Sequence, residues 1–400
     1  GNDRPIGAYS YVASLSASPY NDGNATGIVG QTVSNLTKNP NLQWEASEQL
    51  DLGAELGFFK SALSIEVDYY NKKTKDMLVS IPVPGSSGTS ASITKNIGSI
   101  LNRGWEFQAT YRKVTGDFHY SIGANLSTNY NEVLNLDGQV VNAGGTEFGS
   151  STRTEVGHAI GEFYAYKTMG IFQNQAEIDA YVDMNGAKMQ PNAAPGDIKF
   201  YKKPNADGNL VGVIGATDQV YIGDPSPDFT YGINMAADYK GLDLTVFFQG
   251  VQGNDLMGML LAWTQGMHNN FNLGKDALNR WQKEGDITDV PRAVRGDPNG
   301  NVRYVSDRYL FDGSYLRLKN LTLGYTLPKS WMNFVKISNV RVYATGRNLL
   351  TLTSYPFYDP EIGSGGAGLG ASGNSSTARG IDQGYYPQAR TLLMGIQVDF

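Results

Sequence analysis

The stretch Arg390–Phe400, "RTLLMGIQVDF", decides the fold. Taken two residues at a time, Leu392, Met394, Ile396, Val398 and Phe400 form one wholly apolar face. Thr391, Gly395, Gln397 and Asp399 form the other, with Leu393 its single apolar member. Side chains alternate across a strand, so this is a strand with one apolar and one wet face. In a soluble sheet such an edge is an aggregation hazard. The rest of the chain must supply a setting that shelters the apolar face from water.

The same alternation recurs upstream. Leu50, Leu52, Ala54, Leu56 and Phe58 oppose Gln49, Asp51, Gly53, Glu55 and Gly57. After the link "FKS", Leu63, Ile65, Val67 and Tyr69 oppose Ser64, Glu66, Asp68 and Tyr70. Trp105, Phe107, Ala109 and Tyr111 oppose Glu106, Gln108, Thr110 and Arg112, and Phe118–Leu126 repeats the pattern. So do 229–239 and 242–249, joined by the turn "KG". Two further strands, "SYLRLKNLTLGYTL" and "ISNVRVYATGRNLL", bracket "LPKSWMNFVK". The first has a phase slip near Lys319–Asn320 that predicts a bulge. Weaker strand patterns lie at 8–17, 150–157 and 162–173. Alternation of this length is a strong strand signal. The strands number about twelve, many near the ~9–11 residues that cross a bilayer when tilted.

Links of a few residues (59–61, 113–116, 240–241) alternate with long ones (72–103, 131–149, 174–226, 252–308, 350–388). Short turns on one side and long loops on the other mark a transmembrane antiparallel β-barrel with long extracellular loops. With the C-terminus periplasmic, every long link falls outside and every short one inside, provided 150–157 is counted as a strand. Two loop helices are expected. In "NQAEIDAYVDMNG", Asn174 and Glu177 fit a capping box, Ile178, Tyr181 and Val182 form an apolar stripe, and Gly186 is a stop. In "GKDALNRWQKEG", Leu278 and Trp281 share a face.

Composition agrees with an all-β chain. Gly (48) and Tyr (24) are abundant in the 400 residues, and charged residues are 18%. The longest apolar run, "LMGMLLAWT" (256–264), is far short of the ~20 residues of a spanning helix. A net charge of −6 excludes the basic footprint of a nucleic-acid binder. The absence of cysteine excludes disulfides and thiol chemistry. No basic, apolar leader precedes Gly1, which fits a processed, trimmed or truncated start.

Enzymatic signatures are missing. There is no G-x-S-x-G elbow, H-E-x-x-H or P-loop, so no catalytic residue is assigned. G-x-G-x-x-G spacings at 363–368 and 368–373 lack a strand–helix context and read as a flexible Gly/Ser loop. "NADGN" (205–209), with Asp197 and Asp218, hints at a loop calcium. Its Gly208 is misplaced for an EF-hand, and Lys202 and Lys203 stand where ligands would be wanted. His119, His158 and His268 are too dispersed for a metal trio.

Aromatics with nearby amides and acids cluster in the outer loops: Trp263, Asn269, Asn270 and Phe271, then Tyr355, Tyr358 and Asp359, then Tyr385 and Tyr386. Such groups suit capture of a sugar or peptide, or contact with a lid. Asp51, Glu66, Asp68, Glu106, Asn125, Asn234, Gln249, Arg317 and Arg347 belong to the wet faces and are expected to face the lumen.

Four ordered motifs carry a family resemblance. They are "GDIKFYKKPNADGNLVGVIGATDQVYIGDPSPDFTYGINMAADYKGLDLTVFFQGVQGND" (196–255), "LNRWQKEGDITDVPR" (278–292), "YLFDGSYLRLKNLTLGYTLP" (309–328) and "VRVYATGRNLLTLTSY" (340–355). With them the chain resembles SusC/RagA-like TonB-linked outer-membrane transporters along nearly its whole length. The resemblance implies a 22-stranded barrel with an N-terminal plug, of which residues 1–400 are the C-terminal portion, the plug and early strands being absent from this chain. It implies residence in the bacterial outer membrane, in contact with its lipid. It implies TonB-dependent import of oligomeric nutrients, glycans ahead of peptides, without catalysis. A SusD-like surface lipoprotein is the expected partner, with the TonB complex reached through the missing N-terminal region and a homodimer of the transporter–lipoprotein pair. Leu392, Met394, Ile396, Val398 and Phe400 then form the C-terminal membrane-insertion signal, its edge paired on barrel closure. A passive pore, or a surface glycan-binding or adhesin β protein, is the rival reading.

Overall fold

The computed structural model describes residues 15–20, 28–33, 41–82, 92–143, 146, 148–149, 151–332, 337–362 and 377–399. Strands β1 (Leu15–Tyr20) and β2 (Ile28–Val33) form a separate hairpin. They are followed by β3 (Ala46–Phe58), β4 (Leu63–Pro82), β5 (Ser92–Lys113), β6 (Phe118–Ser127) and β7 (Tyr130–Asn135). A long loop then carries β8 (Val141–Ala143), β9 (Thr152–Thr154), β10 (Glu162–Ala165), β11 (Thr168–Ile171), helix α1 (Gln175–Ala180), β12 (Ile198–Phe200) and β13 (Val220–Gly223). The hairpin β14 (Phe229–Tyr239) and β15 (Leu242–Gln252) leads to a second loop with β16 (Asp255–Gly258), α2 (Leu260–Gln265) and β17 (Leu310–Asp312). Next come β18 (Tyr315–Thr326), α3 (Lys329–Met332) and β19 (Asn339–Thr353). A last loop holds β20 (Ile381–Asp382) before β21 (Thr391–Asp399).

One antiparallel ten-stranded sheet forms the wall, in the order β21-β19-β18-β15-β14-β6-β5-β4-β3, with β7 also pairing β5. Directly opposed residues share a face, so the register sorts the side chains. Met394 opposes Ala344, Leu323 also opposes Ala344, and Leu244 opposes Leu323. Leu244 then opposes Ala237, which opposes Tyr120. Along this row the face is apolar from β21 to β6 and exposed, with Met394 91% and Leu392 81% accessible. A sheet that leaves this surface open to solvent suits a lipid-facing wall and no soluble fold.

The expected bulge is present. Against β15, Phe247 and Phe248 are adjacent but pair with Asn320 and Leu318, leaving Lys319 as the extra residue. Against β19 the extra residue is on the partner, where Asn348 and Leu349 stand between the partners of Leu318 and Asn320. The weaker strand patterns fare differently. Only 15–17 of the 8–17 pattern lie among the described residues, inside β1. The 150–157 and 162–173 patterns give the short strands β9, β10 and β11, which belong to small loop sheets and not to the wall. Removing both leaves the up–down order of the wall unchanged, so the sidedness argument does not need a strand at 150–157. The link expected at 72–103 is itself mostly strand, since β4 runs to Pro82 and β5 starts at Ser92, leaving only 83–91 between them. The Gly/Ser segment 363–376 and Phe400 lie outside the described residues.

The buried core sits in the loops. Phe163 and Ala165 from the first loop pack with Met257, Met259, Ala262, Val302, Val305 and Tyr309 from the second and Ile381 from the third. Burial pushes the Tyr309 phenol up to about 12. Three loops far apart in sequence therefore fold into one body. The parallel pairing of β16 with β20 extends the same body.

Helix α1 starts as expected, with Asn174 Oδ1 accepting the Glu177 N–H at 3.0 Å and Ile178 buried. The Glu177 carboxylate instead accepts from Gln173 N–H (2.8 Å), and the helix ends at Ala180, well before Gly186. The second expected helix is only a 3-10 turn, Lys275–Asn279, with Leu278 exposed and Ala277 the buried residue. A single apolar side chain on each turn is too little to anchor a longer helix.

Candidate functional site

The register brings the polar residues into rows. Glu66 (β4), Gln108 (β5), Asn125 (β6), Gly232 (β14), Gln249 (β15) and Arg317 (β18) oppose one another in succession across the wall. A neighbouring row runs Asp68, Glu106, Ser127 and Thr230. Asn234 opposes Phe247, which leads through Asn320 to Arg347. Asp51 opposes Tyr70. All nine residues expected to face the lumen thus share one face, opposite the apolar one. On it lies a concavity of about 560 Å³ lined by Glu66, Asp68, Glu106, Gln108, Asn125 and Gln249. Gly232 lets this wall close up, since a Cβ there would stand 2.8 Å from Asn125 Oδ1.

Arg317 is the most constrained of the nine. It is fully buried, donates from Nη1 to Glu361 Oε2 (2.8 Å) and from Nη2 to Asp359. Lys319, displaced by the bulge, donates to both Glu361 oxygens at 2.7 and 2.6 Å. Two cations of the wall therefore hold residues 359–361 of the last loop against the polar face. Burial alone would raise the Asp359 pKa. The Arg317 guanidinium and the backbone N–H groups of Gln388 and Glu361 outweigh it and hold the carboxyl below its usual range.

The loop residues expected to meet ligand divide in two. Tyr355 and Asp359 are buried inside the loop body. Tyr355 donates its hydroxyl to Asp382 at 2.7 Å, and burial with that carboxylate pushes its pKa far up. Tyr358, Tyr386, Asn269, Asn270 and Phe271 are exposed, and Tyr385 is half-buried. Trp263 packs edge-on against Phe271, with ring centroids 5.0 Å apart, and against Phe148 at 5.6 Å. Lys319, Glu361 and Asp382 were not among the candidates. Only the phase slip at Lys319 marked any of them in the sequence.

The acids near "NADGN" have partners in the chain. Asp218 pairs with the buried Lys202 Nζ at 2.9 Å. Asp197 is fully buried and takes a two-pronged Arg292 (2.8 and 3.1 Å) plus the Asn301 amide (2.8 Å). Asn205 closes its own turn by accepting from Asp207 and Asn209 N–H. Among the described residues no group of three or more His, Asp or Glu side chains could hold a metal ion. His119 pairs with Asp238 and His158 with Glu162, each at 2.9 Å, far apart in the fold.

Comparison with known proteins places this architecture. Residues 6–349 match the family profile described as TonB dependent receptor-like, beta-barrel. TonB-dependent receptor P3 of Formosa agariphila is 37% identical over 372 residues, which is 90% of this chain and 35% of that protein. SusC of Bacteroides thetaiotaomicron is 28% identical over 90% of this chain and 32% of its own length. Among solved structures, the RagAB peptide importer in its closed-closed state superposes with a TM-score of 0.76 at 28% identity, covering 99% of this chain and 39% of that one. Its open-open state gives 0.75 at 27% identity, covering 99% and 38%. The chain thus spans about a third of the length of the relatives it matches.

Proposed function

This chain belongs to the TonB-dependent receptor-like β-barrel family, and from that premise we propose that it is the C-terminal wall of an energised outer-membrane importer of oligomeric nutrients. It is SusC/RagA-like, and its sheet is an outer-membrane one. In this reading further strands and a plug complete the barrel around the polar face. A SusD-like lipoprotein covers the loop body, the TonB complex drives transport, and the transporter–lipoprotein pair dimerises. The cargo is an oligosaccharide first and an oligopeptide second, and the protein breaks no bond in it.

One observation carries the reading: the wall has an apolar exposed face, a continuous polar face, and a folded loop body tied to the polar face through Arg317 and Lys319. A passive pore needs no such body over its mouth. A soluble adhesin would bury the apolar face against a second sheet.

The test is uptake by cells carrying the whole transporter, with radiolabelled oligosaccharides and oligopeptides of matched size. Oligosaccharide accumulation that stops when the proton-motive force is dissipated is the expected result. Peptide-only accumulation would move the cargo class. Steady ion conductance in a planar bilayer, or a protein monodisperse without detergent, would overturn the importer. Turnover of either oligomer by pure protein would overturn the absence of catalysis.

A further inference from the structure

One cavity belongs to neither the polar wall nor the loop core. Strand β7 pairs only with β5, whereas β14 begins beside the end of β6, where Thr230 opposes Ser127. Beyond that level β7 has no wall strand on its other side. Loop residues fill part of the gap: Val133 N–H donates to His158 O and Gly157 N–H donates to Val133 O, both at 2.9 Å. Segment 224–228 approaches from the β14 side. Between them remains a cavity of about 650 Å³.

Its mouth is on the apolar, outward side of the wall. Tyr69 opposes Trp105, and Arg103 opposes Tyr130, on the face shared by Val67 and Phe107. The Tyr69 and Trp105 rings lie 5.0 Å apart, and Trp105 is nearly half exposed. The Arg103 guanidinium sits 4.6 Å over the Tyr130 ring and, among the described residues, pairs with no carboxylate. The inner lining is polar. Asn129 Oδ1 accepts the Tyr70 hydroxyl at 2.9 Å, which leaves its NH2 as donor, and Glu162 and Asp224 supply acceptors.

Aromatic faces beside planar donors and acceptors recognise a pyranose, whose C–H face is apolar and whose rim carries hydroxyls. The carboxylates of Glu162, Asp224 and Asp228 disfavour a phosphate. Aromatic residues on the outward face of such a wall lie at the lipid headgroup level. We propose that this crevice binds the neutral or amino-bearing sugar headgroup of an outer-leaflet glycolipid, separately from any cargo on the polar face.

The test places the whole transporter in nanodiscs of phosphatidylethanolamine containing a minor fraction of digalactosyldiacylglycerol. Native mass spectrometry then reads the lipid each protein retains. The glycolipid is expected to be enriched over its bulk fraction, and Trp105→Ala and Arg103→Gln each to lower that enrichment by about fivefold. Leu244→Ala, on the same face but far from the cavity, should leave it unchanged. If Trp105→Ala fails to insert, Arg103→Gln carries the test alone. Equal enrichment in wild type and Arg103→Gln would overturn the proposal. So would displacement of the glycolipid by free methyl β-galactoside at equal concentration, since that would make the site one for soluble sugar.

Discussion

Adjacent residues on β21 offer the sharpest check of sidedness. Met394 and Leu393 lie at nearly the same depth but on opposite faces, 91% and 44% exposed. Met394→Arg puts a guanidinium on the lipid side near the middle of the strand, where the cost is about 2–4 kcal/mol. That is roughly thirty- to seven-hundred-fold in the folding constant. Leu393→Arg points to the polar face, opposite the neutral Thr345, and forfeits only the burial of a half-covered side chain, about 1 kcal/mol. Gln397 and Thr391 also face that side but are poor controls. They oppose Arg341 and Arg347, so an added arginine would meet a like charge. The assay is reversible urea unfolding of the whole protein in lipid vesicles, followed by tryptophan fluorescence. Val398→Arg, at the strand end, should cost about 0–1 kcal/mol and report the depth dependence. Equal losses at 393 and 394, or a greater loss at 393, would refute the assigned faces.

Three further outcomes follow from the loop body and the wall. Asp197→Ala leaves Arg292 without its buried partner and should destabilise the loop body by about 3–5 kcal/mol, seen as faster proteolysis within 175–215 while the wall strands stay protected. The Asp359 carboxyl has a depressed folded pKa, so its contribution is complete above the ordinary aspartate value of about 3.9 and is lost as pH falls through the folded value. Hydrogen exchange at 354–362 should therefore rise below about pH 4 in wild type and be fast at every pH in Asp359→Asn. Gly104→Ala would place a Cβ 2.0 Å from the Thr128 carbonyl oxygen, a backbone atom that cannot swing aside; assembled barrel in outer-membrane fractions should fall sharply, whereas Gly116→Ala, with nothing within 4 Å, should lose only the cost of its positive φ.

The wall was legible because its signal is local. A lipid-facing strand declares itself by alternation within its own residues, and hairpin links fix its partner. Even the extra residue at Lys319 showed as a break in phase. The loop body was not legible, because its strands are three or four residues long and its pairings join segments far apart. Phe163 meets Ile381, and β16 meets β20 in parallel, without any periodic trace. The patterns at 150–157 and 162–173 alternate for a different reason: they line a small buried core, where β9 and β10 present Thr152, Thr154, Phe163 and Ala165 inward.

The candidate site shows the same division at the level of single residues. Arg317 was expected in the lumen and Asp359 at a ligand, each for its residue type in its setting. The fold joins them to each other, because the last loop reaches the polar face of β18. An acid beside aromatics reads alike whether it awaits a sugar or answers a buried guanidinium, and only the partner decides. With Tyr355 and Asp359 engaged in the loop body, the candidates of the last loop that stay exposed are their neighbours Tyr358 and Tyr386, 66% and 93%, beside Asn269, Asn270 and Phe271 of the second loop. Substituting Tyr386 by Ala should therefore weaken cargo or lipoprotein binding with no change in the exchange rates of 354–362. Tyr355→Phe should do the reverse, loosening that segment because the buried Asp382 Oδ2 loses its hydroxyl donor while Oδ1 keeps the Gly384 and Tyr385 N–H groups. A Tyr386→Ala protein that binds normally, with Tyr355→Phe binding poorly and its loop unchanged, would assign the contacts the other way round.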